Sequence, residues 1–219
     1  MNNPTVMSNK ELRACAREQL KGVWGKMALA FFILFLIYLT QTILSCLDVF
    51  IDSHMISSVC LVLTFAYYIA IGPFNLGFAG FLLKRVRGEE IFIKNIFDGF
   101  KRVFQSFLLW LLTVIFVFLW GLLLIIPGII KTFSYSMAYY IMYDNPEIEA
   151  IEALNQSKIM MNGYKWKLFL LFLSFIGWVF LALLTLGIGF FWLYPYIGLS
   201  ISNFYEDLKI NQRATEQKI

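Results

Sequence analysis

Six long apolar stretches constrain the fold of this 219-residue chain more than any other feature. Each is about long enough for a helix to cross the ~30 Å hydrocarbon core of a membrane. A soluble domain is about 25% charged, whereas this chain is 15% charged and 60% hydrophobic, so its excess apolar surface has to face lipid. The sequence therefore predicts an all-α polytopic membrane bundle. Its six predicted transmembrane helices are Met27–Leu47, Val59–Leu83, Phe107–Ile126, Ile129–Tyr143, Trp166–Leu184 and Gly189–Tyr205.

The basic residues lie on one side of these six helices. The 18 Lys and Arg residues, with the exception of Lys131, fall into four groups. These groups lie before the first helix, between the second and third, between the fourth and the start of the fifth, and after the sixth. Because cytoplasmic loops carry an excess of Lys and Arg, this distribution predicts that both termini are cytoplasmic. The chain should be a multi-pass protein of a plasma membrane.

The chain is predicted to form one integral-membrane domain over residues 1–219, built from three repeated hairpins. Each repeat would contain an amphipathic cytoplasmic helix, a helix that leaves the cytoplasm, a turn rich in Gly and Pro, and a returning helix. Small residues in the returning helices predict that these three pack centrally. The repeat units cover about 8–87, 89–143 and 144–208, and a short polar tail covers 209–219.

Local signals mark the start of each repeat. Ser8 and Glu11 form a capping-box pattern at the first. Apolar residues at helical spacing over 93–104 predict an amphipathic helix in the second. Asp144 and Pro146 predict a helix start in the third. Basic residues of these helices, and of the points where the chain enters the membrane, are expected to contact anionic inner-leaflet lipids. The predicted membrane-surface contacts are Arg13, Arg17, Lys21, Lys26, Lys101, Arg102, Lys165 and Lys167.

Polar side chains inside membrane helices are costly, so they are the first place to look for a binding site. Lys131 follows a Pro127-Gly128 break and either binds an anionic group or extends toward the outer headgroups. Tyr135 follows on the same helix and either lines a cavity or belongs to an interfacial aromatic belt. Asn75 and Asn203 lie in returning helices and either contact a ligand or hydrogen-bond to neighbouring helices. These four residues are the predicted ligand-binding set.

No combination of residues in the sequence matches a catalytic or metal centre. The chain has one histidine, His54, which argues against a His-based triad or metal cluster. No metal, cofactor or nucleic-acid partner is predicted. Two groups of carboxylates, beside the third cytoplasmic helix and at the end of the sixth membrane helix, are expected to be helix starts and solvated faces. They are Asp144, Glu147, Glu149, Glu152, Glu206 and Asp207.

The three cysteines, Cys15, Cys46 and Cys60, lack the spacing of metal ligands. Cys46 and Cys60 flank the first outer turn and could pair. Unpaired thiols, packed or facing lipid, are the expected state, because a free cysteine behaves as a small apolar side chain.

Four stretches of sequence carry a resemblance to a known family: Leu20–Lys26, Gly72–Gly77, Leu123–Ala138 and Leu186–Leu208. The chain resembles the bacterial integral-membrane family known only as domain of unknown function 975, from about Lys10 to Lys209. The resemblance implies a bacterial membrane location and a helical topology, and it implies no activity. More distantly, the paired helices are similar to the membrane domain fused to some bacterial glycerophosphodiester phosphodiesterases. The catalytic domain of those proteins is absent, so no catalytic residue carries over.

The sequence favours a non-enzymatic integral membrane protein of the bacterial envelope. It would act as a lipid-interacting scaffold or accessory protein, with a membrane protein or a second copy of the chain as a further partner. A small transporter or channel is the alternative, since broken helices often mark binding sites in transporters. A membrane enzyme acting on lipid is a third hypothesis, and it would have to use the carboxylates of Asp144 or Glu206.

Overall fold

The computed structural model describes residues 6–50 and 54–216, and in these ranges every regular element is helical. Residues 51–53, which belong to the predicted first outer turn, lie outside the described residues. A 3-10 helix, Ile93–Arg102, precedes α4. The α-helices are α1 (Asn9–Leu20), α2 (Trp24–Phe50), α3 (His54–Val86), α4 (Val103–Leu123), α5 (Ile125–Tyr135), α6 (Ala138–Asp144), α7 (Ala150–Met160), α8 (Lys165–Leu173), α9 (Ile176–Leu184) and α10 (Phe190–Glu216).

Four helical segments are long and apolar enough to cross a membrane, which confirms the predicted helical class. They are Trp24–Leu47, Ser57–Val86, Ile93–Leu123 and Lys165–Leu184. The fourth predicted block is divided into α5 and α6, and the fifth into α8 and α9. The sixth block continues as α10 into a polar segment that ends at Glu216.

The two predicted helix starts at Ser8 and Asp144 have different outcomes. The capping box at Ser8 is confirmed, because the Ser8 hydroxyl accepts from the Glu11 amide and the Glu11 carboxylate accepts from the Ser8 amide. The predicted start at Asp144 is wrong, because Asp144 is the last residue of α6 and α7 begins only at Ala150. Pro146 excludes the helical conformation from the residue before it, and Asn145 is accordingly non-helical.

Helices α3, α6 and α10 meet through small residues and aromatic rings. Tyr140 of α6 stacks on Tyr205 of α10, with ring centroids 5.3 Å apart. A Cβ atom at Gly80 of α3 would lie 1.9 Å from the ring of Tyr143 in α6, so the close approach of these two helices requires glycine. The three helices therefore contact one another through these side chains.

The 3-10 helix packs directly against the backbone of α3. A Cβ atom at Gly77 would lie 1.8 Å from the carbonyl oxygen of Ile96, and one at Gly99 would lie 1.9 Å from that of Pro73. Two glycines thus let two backbones touch. The 3-10 helix is therefore part of the packed bundle.

An ionic network joins the ends of α3 and α6 to the middle of α10. Asp144 accepts two hydrogen bonds from Arg87, at 2.7 and 2.8 Å, and further bonds from Tyr205, at 2.9 Å, and from Lys209. Arg87 also pairs with Glu206 at 2.6 Å. The Asp144 side chain is only 5% exposed. For Asp144 and Glu206, the predicted role as solvated carboxylates is therefore wrong, whereas Glu147, Glu149 and Glu152 are exposed as expected.

The network lowers the pKa of Asp144. Burial alone would raise this pKa, but the hydrogen bonds from Lys209 and Arg87 offset the burial and hold the pKa below its ordinary value. The same contacts raise the pKa of Arg87 despite its own desolvation. Asp144 is therefore ionised and structural at neutral pH.

Two short helices, α7 and α1, hydrogen-bond to the breaks between other helices. At the break between α5 and α6, the Ser157 hydroxyl of α7 donates to the Ser134 carbonyl at 2.8 Å and accepts from the Met137 amide at 3.1 Å. At the break between α8 and α9, Arg13 of α1 donates to the Ser174 carbonyl at 3.0 Å. These contacts occupy backbone groups that a break would otherwise leave without a partner.

Candidate functional site

A cleft of about 430 Å³ lies between α1, the start of α2, α9 and α10. Three indole rings dominate its walls, and we call it the tryptophan cleft. One end holds a guanidinium group, and the other end is the turn between α9 and α10. The lining residues are Arg17, Trp24, Trp178, Leu181, Ala182, Thr185, Gly189, Trp192, Leu193 and Tyr196.

The walls of the tryptophan cleft are apolar and partly open to the side. Ala182 and Leu193 are buried at its back, whereas Trp178 and Trp192 are each about half exposed. At the far end, the Thr185 hydroxyl donates to the Ala182 carbonyl at 2.7 Å and accepts from the Gly189 amide at 2.8 Å. Because this hydroxyl is engaged within its own turn, the far end of the cleft offers an apolar surface.

Arg17 places a positive charge at the near end of the tryptophan cleft. Its Nη1 donates to the Tyr196 hydroxyl at 3.1 Å. Tyr196 is 5% exposed, and its ring meets the edges of Phe175 and Trp178 at centroid distances of 5.0 and 6.5 Å. A buried and packed tyrosine therefore fixes the direction of the exposed Arg17 side chain.

Arg13 lies one helical turn before Arg17 and contacts the same aromatic group. Its Nη1 donates to the Ser174 carbonyl, and its guanidinium carbon lies 5.9 Å from the centre of the Phe175 ring. The Nε atom of Arg13 is buried and has no hydrogen-bond partner. Within residues 6–50 and 54–216, no ion pair involves Arg13 or Arg17.

Several long-range contacts hold α1 against the cleft. Gln19 and Asn203 exchange side-chain hydrogen bonds of 2.9 and 2.8 Å. Asp207 accepts from the Met7 amide at 2.6 Å, and Lys167 donates to the backbone near the chain start. Burial raises the pKa of Asp207 even though the Met7 amide bond acts in the opposite direction. Helix α1 and the residues before it are thus anchored to α8 and α10.

The predicted ligand residues Asn75 and Asn203 each make a contact between helices. Asn75 accepts a hydrogen bond of 3.1 Å from the Tyr38 hydroxyl of α2. Asn203 pairs with Gln19 of α1 and also donates to the Leu199 carbonyl of its own helix. Both amides therefore have structural partners, and the prediction that they bind a ligand stays a prediction.

The predicted ligand residues Lys131 and Tyr135 contact α4. The Lys131 ammonium lies 4.4 Å from the centre of the Trp120 ring, within the range of a cation–π interaction. The Tyr135 ring lies 6.2 Å from that of Phe116. The described contacts of the four predicted residues thus involve separate partners, and the cavity that contains Arg17 is lined by other residues.

The predicted membrane-surface cations divide into two groups. Arg102 donates to the carbonyls of Met142, Asn145 and Ile148 at 2.9, 3.2 and 2.7 Å, so its guanidinium joins α4 to the α6–α7 linker. Arg13 and Lys167 also donate to backbone carbonyls. The second group consists of Arg17, Lys21, Lys26 and Lys101, which are exposed, and Lys165, which is half-buried. Their contact with headgroups stays a prediction.

A charged cavity beside the 3-10 helix contains few free groups. It has a volume of about 500 Å³ and includes Lys84, Asp98 and Lys101. Asp98 pairs with both lysines, at 3.2 and 2.7 Å, and so balances much of their charge. Among the described residues, no group of three potential His, Cys, Asp or Glu metal ligands occurs, and Cys15, Cys46 and Cys60 are free thiols.

Sequence reasoning did not find the tryptophan cleft. Trp24, Trp178 and Trp192 were not among the predicted ligand-binding residues. One signal was present: Trp178 and Trp192 each lie seven residues from Thr185. Positions equally distant from the turn of a helical hairpin lie at the same level, so these two rings could have been expected to meet.

Comparison with known proteins assigns the chain to a family. A family model described as "Protein of unknown function (DUF975)" matches residues 6–131 and 121–212. No curated protein and no solved structure matches the chain, so the more distant similarity to glycerophosphodiester phosphodiesterases is not shown. The resemblance found in the four sequence stretches is confirmed over most of the chain. The chain belongs to the DUF975 family of proteins of unknown function.

Proposed function

We propose that this chain is a non-enzymatic integral membrane protein of the bacterial envelope that holds a lipid chain in its tryptophan cleft. The observation that carries the proposal is the cleft itself, which is apolar along its length, open to the side and charged at one end. Its volume lies within the range of about 300–1,000 Å³ that is typical of sites for small ligands. A lateral opening in a membrane protein admits a ligand directly from the bilayer.

The proposal includes six membrane crossings in three hairpins, with both termini in the cytoplasm. The ionic network supports this topology, because Arg87 and Asp144, at the ends of α3 and α6, pair with each other, and Arg87 also pairs with Glu206, at the end of the sixth predicted membrane block. These three ends must then lie on the same side of the membrane. The preceding segments α2, α4 and α8–α9 would leave that side, and the abundance of basic residues there makes it the cytoplasmic one.

The transporter hypothesis has less support from the contacts. Its basis was the predicted Pro/Gly breaks in the returning helices, since free backbone groups of broken helices bind substrates or ions in many transporters. Pro73 and Pro195, however, lie inside the continuous helices α3 and α10. Here Ser157 occupies the carbonyl and amide at the α5–α6 break, and Arg13 occupies a carbonyl at the α8–α9 break. These breaks therefore serve as attachment points for cytoplasmic helices.

Native mass spectrometry of gently extracted protein tests the lipid-binding proposal. We expect the wild type to retain a lipid, and the double variant Trp178→Ala, Trp192→Ala to lose it, because both rings form the cleft walls. Both side chains are about half exposed, so the fold should tolerate their truncation. Trp166→Ala is the matched control, since Trp166 is 68% exposed and lies on α8, outside the cleft lining.

Equal lipid retention by the wild type and the double variant would overturn the lipid-binding proposal. A protein partner that co-purifies with a lipid-free wild type would instead favour an accessory subunit. Either result would leave the family assignment unchanged.

A further inference from the structure

The guanidinium groups at the tryptophan cleft lack a counter-charge within the described chain. Arg13 and Arg17 are four residues apart on α1, a spacing at which like charges destabilise a helix. The ion pairs among the described residues involve other cations. Lys21, for example, pairs with Glu18. An anion near both guanidinium groups would offset this repulsion.

The donors of Arg17 have room for such an anion. A guanidinium group carries five N–H donors in a planar fork that matches a carboxylate or a phosphate. One nitrogen of Arg17 bonds to Tyr196, and the side chain is exposed. Tyr196 and the Phe175 ring beneath Arg13 hold the two cations beside the same aromatic group.

The remainder of the cleft suits one apolar chain. Beyond Arg17 the walls are indole rings and aliphatic side chains, and the hydroxyl of Thr185 at the far end is already bonded. Tyr196 and Gly189 are seven residues apart on one side of the cleft, about 10 Å along a helix. Charge at one end and apolar walls beyond it are the features of a site for an amphiphile.

We propose that the tryptophan cleft binds a single-chain amphiphile with an anionic head, the chain lying along Trp178 and Trp192 and the head on Arg17 beside Arg13. This inference rests on the proposed lipid-binding function and adds the class of ligand. Fatty acids and lysophosphatidate share this chemistry, and they differ in whether the head is a carboxylate or a phosphate. Arg17 is the specificity-determining residue.

Fluorescence quenching tests this assignment in nanodiscs of zwitterionic phosphatidylcholine. Replacing the three tryptophans outside the cleft by phenylalanine leaves the emission of Trp24, Trp178 and Trp192. Dibromostearate at pH 8, a quencher with an anionic head, is compared with a brominated monoacylglycerol, which is neutral. We expect saturable quenching by dibromostearate and about tenfold weaker binding of it to Arg17→Gln, which corresponds to about 1.4 kcal/mol.

Two further variants separate charge from folding. Arg17→Lys keeps the charge and should restore part of the affinity, whereas Lys21→Gln removes an exposed neighbouring charge and should change little. Lysophosphatidate and unlabelled fatty acid then compete with the quencher, and the stronger competitor identifies the head as phosphate or carboxylate.

The outcomes distinguish this inference from the function on which it rests. Equal saturable binding of the anionic and neutral quenchers, unchanged in Arg17→Gln, would overturn the anionic assignment and leave lipid binding intact. Absence of saturable quenching by either compound, together with equal lipid retention in the mass spectra, would overturn both. A loss confined to the anionic quencher in Arg17→Gln supports both.

Discussion

At the scale of single residues, Asp144 is the most informative position. Its carboxylate receives hydrogen bonds from Arg87, Tyr205 and Lys209 while it is 5% exposed. We expect Asp144→Asn to lower the free energy of unfolding by about 2–3 kcal/mol, less than in a fully buried pair because Arg87 and Lys209 keep contact with solvent. Thermal unfolding of the purified protein measures this change. Glu152→Gln, at an exposed position, is the control and should alter stability by less than about 0.5 kcal/mol.

The same residue predicts a dependence of stability on pH. The folded pKa of Asp144 is lowered below its ordinary value, so the stability it contributes is complete above that value, 3.8. This contribution is lost as the pH falls through the still lower folded pKa. Asp144→Asn should therefore lose less stability than the wild type on acidification below about pH 4. Parallel acid losses in both proteins would show that Asp144 does not form the ionised network.

Individual residues also show what the sequence alone could predict. Ser8 and Glu11 are three positions apart, so their capping box is a local feature and was predicted correctly. Arg87 is 57 residues from Asp144 and 119 from Glu206 along the chain, and no spacing rule brings such residues together. The burial of Asp144 and the charge at the cleft follow from tertiary packing, which the sequence pattern does not encode locally.

At the scale of elements, α7 is predicted to stabilise the break between α5 and α6. Ser157 is fully buried and satisfies both the Ser134 carbonyl and the Met137 amide. Ser157→Ala would leave these two groups buried without a partner, at a cost of about 1–3 kcal/mol. Hydrogen exchange at residues 134–138, together with thermal unfolding, should report faster opening and lower stability.

Ser200 provides a matched control for this prediction. It is also fully buried, but its hydroxyl donates to the Tyr196 carbonyl four residues earlier in its own helix. Ser200→Ala should therefore have a much smaller effect, since helix backbone groups bond within α10. Equal effects of the two substitutions would mean that the hydrogen bonds of Ser157 to the α5–α6 break add nothing to stability.

Element types were more predictable than element boundaries and breaks. A long apolar stretch satisfies its own backbone hydrogen bonds in a membrane by forming an α-helix, which is why the α-helical class was predicted correctly. The breaks after Tyr135 and Leu173 were not predicted, because their backbone groups find partners in α7 and α1, elements distant in sequence. When a residue distant in sequence bonds to the backbone at a break, the sequence around the break shows little more than a serine.

At the scale of the whole molecule, the number of membrane crossings is open to direct measurement. If only the four long apolar segments cross, Asn162 before α8 would be outside the cell and Leu186 after α9 would be inside. The ionic network favours six crossings, which reverses both locations.

Both positions are exposed turn residues, and replacing the three native cysteines by alanine allows Asn162→Cys and Leu186→Cys to be labelled separately. With an impermeant thiol reagent on intact cells, we expect labelling of the Leu186→Cys protein alone, and labelling of Asn162→Cys only after permeabilisation. The opposite pattern would overturn the proposed topology of six crossings with both termini in the cytoplasm.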